Sequence, residues 1–414
     1  MHRHSVLFLM SLVGCPAPST PVDSSTTDTT ETNAASTETT GTTPIADGTT
    51  GTTNATDSTD VDSGSGTGPM SDEPVVFLIA GQSNAEGNVF IGGLEGLAQA
   101  IPEGIDPLTL EQRDAARLAV AEALGVFCGI DPGCVPAPER CEEPPPFSHA
   151  VADTVIDELR VVTTPWRSMD RDYQHPSATL VAANYDYAPV TLADGNGMPV
   201  PNEECSADPA MTERIGPMLN RFTPTDAQPL GPGFGTRFDR EDTPSFGTEL
   251  TFGEVMGRTY SNTHLVKVAM GGSSLNDHWR PDGPLYASLV EEAQQELAAR
   301  GARLGGLLWF QGFNDQFEGV YCEDLPPLYA ANLAAFLGAL RTDLDAPELP
   351  VVIVGPRSDG RLPEIAAAQQ QVASGDPNIV IVESNGLSDC FHYGSGAIAI
   401  VGERAGLAMT ELQP

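Results

Sequence analysis

The chain has 414 residues, with 57 acidic against 20 basic side chains and a formal charge of −37. That length suits one large α/β domain or two modest ones with a sizeable core. The charge sets aside nucleic acid and anionic lipid head groups as partners, since both would be repelled, and otherwise reads as a solvated, solubilising surface.

At the amino terminus, a basic start at Arg3 is followed by an apolar run from Val6 to Val13 and the tetrapeptide Leu12-Val13-Gly14-Cys15. The run is too short to span a bilayer. The tetrapeptide resembles the lipobox of bacterial lipoproteins, in which cleavage before the cysteine frees a thiol for diacylation; an ordinary secretory signal is the plainer alternative. Residues 1–15 are therefore expected to be a signal peptide with Cys15 as the lipidation site, and the product an exported lipoprotein held at a bacterial envelope membrane. Residues 16–73 are Thr, Ser, Asp and Gly with almost no large apolar side chain and no Lys or Arg. Such a segment cannot bury enough surface to offset its chain entropy and repels itself, so a disordered, extended tether is expected.

From residue 74 onward, short apolar runs alternate with helical periodicity. Val75 to Ala80, Leu265 to Met270, Leu304 to Phe310, Val351 to Gly355 and Ile379 to Glu383 read as strands covered on both faces. Gly283 to Arg300, Pro326 to Leu344, Leu362 to Ser374 and Gly394 to Glu411 carry apolar residues at three- and four-residue spacing and read as helices. This alternation predicts an α/β fold of flavodoxin-like type, a mostly parallel sheet with helices on both faces. The stretch of about 88–244 breaks the rhythm. It holds one clear helical pattern, Leu108 to Leu124, a Pro-rich patch at Glu142 to Phe147 and turn signals such as Asp194-Gly195-Asn196-Gly197, and reads as a large insertion after the first strand. Apart from Cys15, the cysteines are Cys128, Cys134, Cys141, Cys205, Cys322 and Cys390. In an exported domain these suggest up to three disulfides, with the pairing open; zinc is the rival for the first three, but no nearby histidine has finger spacing, so no metal is expected.

In doubly wound sheets ligands collect at the carboxyl ends of strands. The first strand runs into Gly81-Gln82-Ser83-Asn84-Ala85-Glu86-Gly87. A serine on a tight strand-to-helix turn exposes its hydroxyl as a nucleophile, although a plain helix cap has the same look; Ala85 stands where the Gly-x-Ser-x-Gly elbow has its second glycine. The next strand ends in Gly271-Gly272-Ser273-Ser274-Leu275, where paired glycines permit close backbone approach and an amide aimed at an oxyanion, or simply make a turn. Then Gln311-Gly312-Phe313-Asn314-Asp315 offers two neutral amides suited to a developing negative charge. Near the carboxyl end, Asp389-Cys390-Phe391-His392 spaces a carboxylate to orient one imidazole nitrogen while the other acts as a base; a capping aspartate beside a surface histidine is the alternative.

Taken together these blocks resemble those of the SGNH hydrolases and, more closely, the sialate O-acetylesterase family (carbohydrate esterase family 6 and relatives). Phe246-Gly247-Thr248-Glu249-Leu250-Thr251-Phe252-Gly253 adds a further matching block. The resemblance implies Ser83 as nucleophile, His392 as general base and Asp389 as its orienting carboxylate. The amides of Ser83 and Gly272 would form the oxyanion hole, with the side chain of Gln311 or Asn314. Many relatives read Gln-Gly-Glu-Ser-Asp at 311–315, which leaves the choice between those two amides open. The implied activity is removal of small acyl groups, acetyl above all, from carbohydrate hydroxyls, with no cofactor. A broader lipase or thioesterase acting on longer acyl chains and a non-catalytic glycan-binding lipoprotein are the rivals. Trp166, Tyr173, Tyr185 and Tyr187 are candidates for stacking on sugar rings, and Arg237, Arg258 and Arg280 for a basic pocket facing a carboxylated sugar; small-core packing and structural ion pairs are the alternatives.

Overall fold

The computed structural model describes residues 72–87, 89–90, 174–187, 219–223, 226–236, 244–316, 326–356, 362–384, 387 and 393–413, within the compact unit Pro69–Pro414. The signal peptide with Cys15, nearly all of the tether, the 108–124 helix, the six remaining cysteines, Trp166, Tyr173, Arg237, Asp389 and His392 lie outside the described residues.

β1 (Val75–Gly81) is buried at every position. Its alternate residues divide between two apolar layers: Val75, Phe77 and Ile79 face one, and Val76, Leu78 and Ala80 the other. β7 (Thr263–Ala269) and β8 (Arg303–Phe310) flank it, both parallel to it. β9 (Val351–Gly355) and β10 (Ile379–Glu383) extend the sheet beyond β8, and β3 (Ala178–Tyr187) lies outside β7, so the parallel order is β10-β9-β8-β1-β7-β3. Two short strands, β4 (Leu219–Arg221) and β5 (Gln228–Pro229), pair antiparallel with β3. A separate antiparallel pair joins β2 (Val89–Phe90) to β6 (Ser245–Phe246).

Helices cover both faces, as the alternation of patterns predicts. α2 (Glu249–Thr259) and α7 (Ser395–Leu412) line the layer with Phe77, whereas α3 (Pro284–Arg300), α5 (Pro326–Asp343) and α6 (Pro363–Ser374) line the layer with Leu78. Two single-turn helices, α1 (Ser83–Glu86) and α4 (Phe313–Gln316), follow the carboxyl ends of β1 and β8. The chain enters β7 on one side of β1 and then crosses to β8 on the other, so the crevice that such a switch opens lies at the carboxyl end of β1.

Two elements depart from the sequence reading. β3 comes from within the stretch read as one insertion, yet it pairs with β7 residue for residue from Ala178–Thr263 to Asn184–Ala269, making part of 88–244 integral to the sheet. α2 occupies a block that carried no helical expectation. Its Gly253 and Gly257 weaken the helical pattern, but a Cβ at Gly253 would collide with Leu230 and one at Gly257 with His175, so their small size is what seats the helix.

Candidate active site

In the sheet register Gly81 is level with Ala269 on β7 and Phe310 on β8. The segments that follow these residues therefore leave the sheet side by side, bringing together the turns of Ser83, Gly272 and Gln311 to Asn314. Gly81 is required by this crowding, since a Cβ there would collide with the carbonyl of Phe310. Ser83 opens α1, and the Gln82 amide just before it donates to the Phe310 carbonyl at 3.2 Å. The Gln82 side-chain oxygen accepts from the amides of Gly312 (3.4 Å) and Asn314 (3.3 Å), fastening the α4 turn to the nucleophile turn.

The loop after β7 is held by side chains of its own and of β8. Gly272 lies at its tip with φ +74, a left-handed conformation that glycine adopts freely. Ser273 Oγ accepts from the buried Trp279 indole at 3.0 Å, and the Ser274 amide donates to His278 Nδ1 at 3.1 Å. Burial pushes His278 down to about 4, so its ring is neutral at pH 7 and free to accept that bond.

The two candidate amides have different surroundings. Gln311 is buried; its Nε2 donates to the Asp315 carboxylate and to the Ser273 carbonyl (3.1 Å), and its main-chain carbonyl accepts from Tyr329 Oη (3.1 Å) and Gln369 Nε2 (3.1 Å). Asn314 is half-buried, and its Nδ2 donates to the Gly272 carbonyl at 2.8 Å, which leaves the amide a second hydrogen.

Beneath α1 lies an ion pair that the sequence reading did not single out. Lys267 on β7 is fully buried; its Nζ lies 3.0 Å from Glu249 Oε2 and donates to the Glu86 carbonyl at 3.0 Å. Asn184 on β3 also donates to that carbonyl, at 3.4 Å. Burial lowers the Lys267 pKa, while Glu249 and Glu86 oppose that shift. The signal was present in the sequence: a charge inside a doubly covered strand demands a partner.

Asp389 and His392 lie outside the described residues, but Tyr393, which follows them, does not. Its amide donates to Asn84 Oδ1 at 3.3 Å, its ring packs against Phe310 with centroids 5.7 Å apart, and its hydroxyl donates to Ser384 at 2.9 Å. The chain thus enters α7 against the turn that bears Ser83. Tyr185 is bonded to Ser288 of α3 at 2.7 Å, Arg258 lies in the last turn of α2, just before the amino end of β7, and Arg280 pairs with Asp282 at 2.9 Å on the surface. The side chain of Tyr187 lies outside the described residues. Among the described residues no group of three His, Cys, Asp or Glu is placed to hold a metal ion.

Residues 215–411 match the family described as SASA: carbohydrate esterase, sialic acid-specific acetylesterase. This stretch belongs to that carbohydrate-esterase family. The carbohydrate-esterase stretch contains Gly272, Gln311, Asn314, Asp389 and His392 and begins after Ser83. A protein of Arabidopsis thaliana described as "Probable carbohydrate esterase" is 28% identical over 131 residues, which are 31% of this chain and 48% of that protein; the chain spans about half the length of this relative. Among solved structures, the chain is similar to a protein from Arabidopsis thaliana (16% identity, 82% of this chain and 98% of that one, TM-score 0.45). It is also similar to NanS (14%, 82% and 97%, TM-score 0.42) and to a novel carbohydrate acetylesterase from Xanthomonas citri (14%, 81% and 56%, TM-score 0.40).

Proposed function

We propose that the chain is a serine esterase that removes acetyl groups from carbohydrate hydroxyls. Ser83 Oγ attacks the ester carbonyl while His392, oriented by Asp389, takes its proton; the same imidazole then protonates the departing sugar oxygen. Water, activated by His392, releases acetate from the acyl-enzyme. The developing oxyanion is held by the amides of Ser83 and Gly272 and by the side chain of Asn314. Asn314 is assigned over Gln311 because the Gln311 amide is already engaged by Asp315 and Ser273, whereas Asn314 reaches across to Gly272 with a hydrogen to spare.

The observation that carries this reading is the convergence of the Ser83, Gly272 and Asn314 turns at the carboxyl end of β1, with Tyr393 tied to Asn84 beside them. The family of residues 215–411 supports the same chemistry. Export and anchoring through Cys15 belong to the same proposal, placing the enzyme where it meets polysaccharide. The test is acetate release from a panel of acetylated sugars, together with nitrophenyl esters of rising chain length. Hydrolysis confined to short acyl chains and lost in Ser83→Ala is expected. Activity retained in Ser83→Ala, or a preference for long chains, would overturn the assignment.

A further inference from the structure

We propose that Asp315 is a positioning residue: its buried carboxylate holds the Gly272 loop and the Asn314 turn at one spacing and so sets the oxyanion hole, an inference that rests on the esterase reading above. Asp315 is 1% exposed. Its carboxylate accepts from the Leu275 amide at 2.9 and 3.1 Å, from the Asn276 amide, and from Gln311 Nε2. The first two donors belong to the loop after β7, the third to the end of β8. Gln311 closes the clamp by donating also to the Ser273 carbonyl, next to Gly272, and Asn314, adjacent to Asp315, donates to the Gly272 carbonyl. Each of the two loops thus reaches the other through this one carboxylate and the amides beside it.

Among the described residues, the titratable groups packed around this network are Asp277 and His278 from the loop after β7 and Tyr329 from α5. Asp277 adds like charge, His278 is neutral, and the Tyr329 phenol is held protonated, so of these surroundings the backbone and amide dipoles are what offset the burial of the charge. Burial outweighs those bonds and pushes the Asp315 carboxyl up to about 6. Protonation then sets an O–H where N–H donors converge, and the clamp slackens. Because the folded state binds this proton more tightly than the unfolded chain, the contribution of Asp315 to stability grows as the pH falls through about 6, while its service to catalysis fades. Acid inactivation by this route is reversible and is not unfolding.

The experiment measures kcat and KM for 4-nitrophenyl acetate from pH 4.5 to 8.5 in wild type and Asp315→Asn, with the ¹⁵N-¹H shift of the Leu275 amide followed in labelled wild type. At pH 7.5 the variant is expected to lose about 10- to 100-fold in kcat with KM changed less than about twofold, as misplacement of a reacting geometry does. Its acid limb should fall with one proton where wild type shows two, and the Leu275 amide should titrate near pH 6. A folded Asp315→Asn with wild-type kcat, or an unchanged acid limb, overturns the proposal. Should the variant not fold, wild type decides: a one-proton limb whose midpoint departs from that of the Leu275 amide is equally fatal. A wild type that hydrolyses no ester refutes the esterase reading instead, and the Leu275 titration alone then supports or overturns the clamp.

Discussion

Gln311 and Asn314 carry the same functional group three residues apart after β8, and under the proposed function their different surroundings give them different tasks. Asn314→Ala is expected to lower kcat about 10²- to 10³-fold with little change in KM, the effect of removing a donor that acts on the transition state. Gln311→Ala strips one of the donors from the buried Asp315, and is expected to lower stability by about 1–3 kcal/mol in urea unfolding, with a smaller loss of kcat than Asn314→Ala as the clamp loosens. Steady-state kinetics beside denaturation curves separate the two. Ser83, Gly272 and the pair Gln311 and Asn314 were legible in the sequence as candidates because each comes soon after an apolar strand. The supporting residues were not: Leu275 and Asp315 are 40 positions apart, Gln82 and Gly312 are 230, and Asn84 and Tyr393 are 309. Nothing local in a sequence marks a glutamine or an aspartate for such a partner.

Lys267 links three elements, since from β7 it reaches Glu249 on α2 and the last carbonyl of α1. Removing one partner of a fully buried pair strands the other, so Lys267→Met is expected to cost about 3–5 kcal/mol, and Lys267→Met combined with Glu249→Gln to cost less than the single change. Denaturant midpoints of the three proteins test this. The pairing of α2 with α7 depends on close approach. At Gly402 a Cβ would collide with the Thr251 hydroxyl and the Thr248 carbonyl, and Thr251 Oγ1 already bonds the Ala399 carbonyl at 2.7 Å. Gly402→Ala is therefore expected to lose about 1–3 kcal/mol by overpacking, read from the same denaturation curves. These helices also show where sequence legibility ends. α7 shows itself by a dense apolar pattern that outweighs Gly402 and Gly406, and β1 by an unbroken apolar run, whereas α2 has fewer apolar residues around Gly253 and Gly257, and the polar Asn184, Tyr185 and Asp186 blur the carboxyl half of β3. In both cases tertiary packing outweighs local propensity.

Among the described residues the response to acid includes a contest between buried groups whose shifts have opposite effects on stability. His278 falls to about 4 in the folded state, so the unfolded chain binds its proton first, and the stability this histidine supplies above pH 6.5 is lost on acidification toward 4. Asp315 works the other way over the window ending near 6. Between pH 7 and 5 the loss from His278 is about 2 kcal/mol and the gain from Asp315 about 1 kcal/mol. Asp315→Asn, unable to take up that proton, should accordingly lose more stability over this interval than wild type, by about 1 kcal/mol in thermal or urea unfolding. At the amino terminus, Cys15→Ala is expected to shift the protein from membrane to soluble fractions, and unchanged fractionation would overturn the lipid anchor. The folded part also has an unusual chemical surface. Lys267 is the chain's only lysine and is fully buried, so amine-directed cross-linkers and supports find no lysine to grip while the sheet stays closed. A lysine-specific protease has one bond to cut, and only in chains that have opened; the rate at which the chain parts after Lys267 therefore counts the openings of β7.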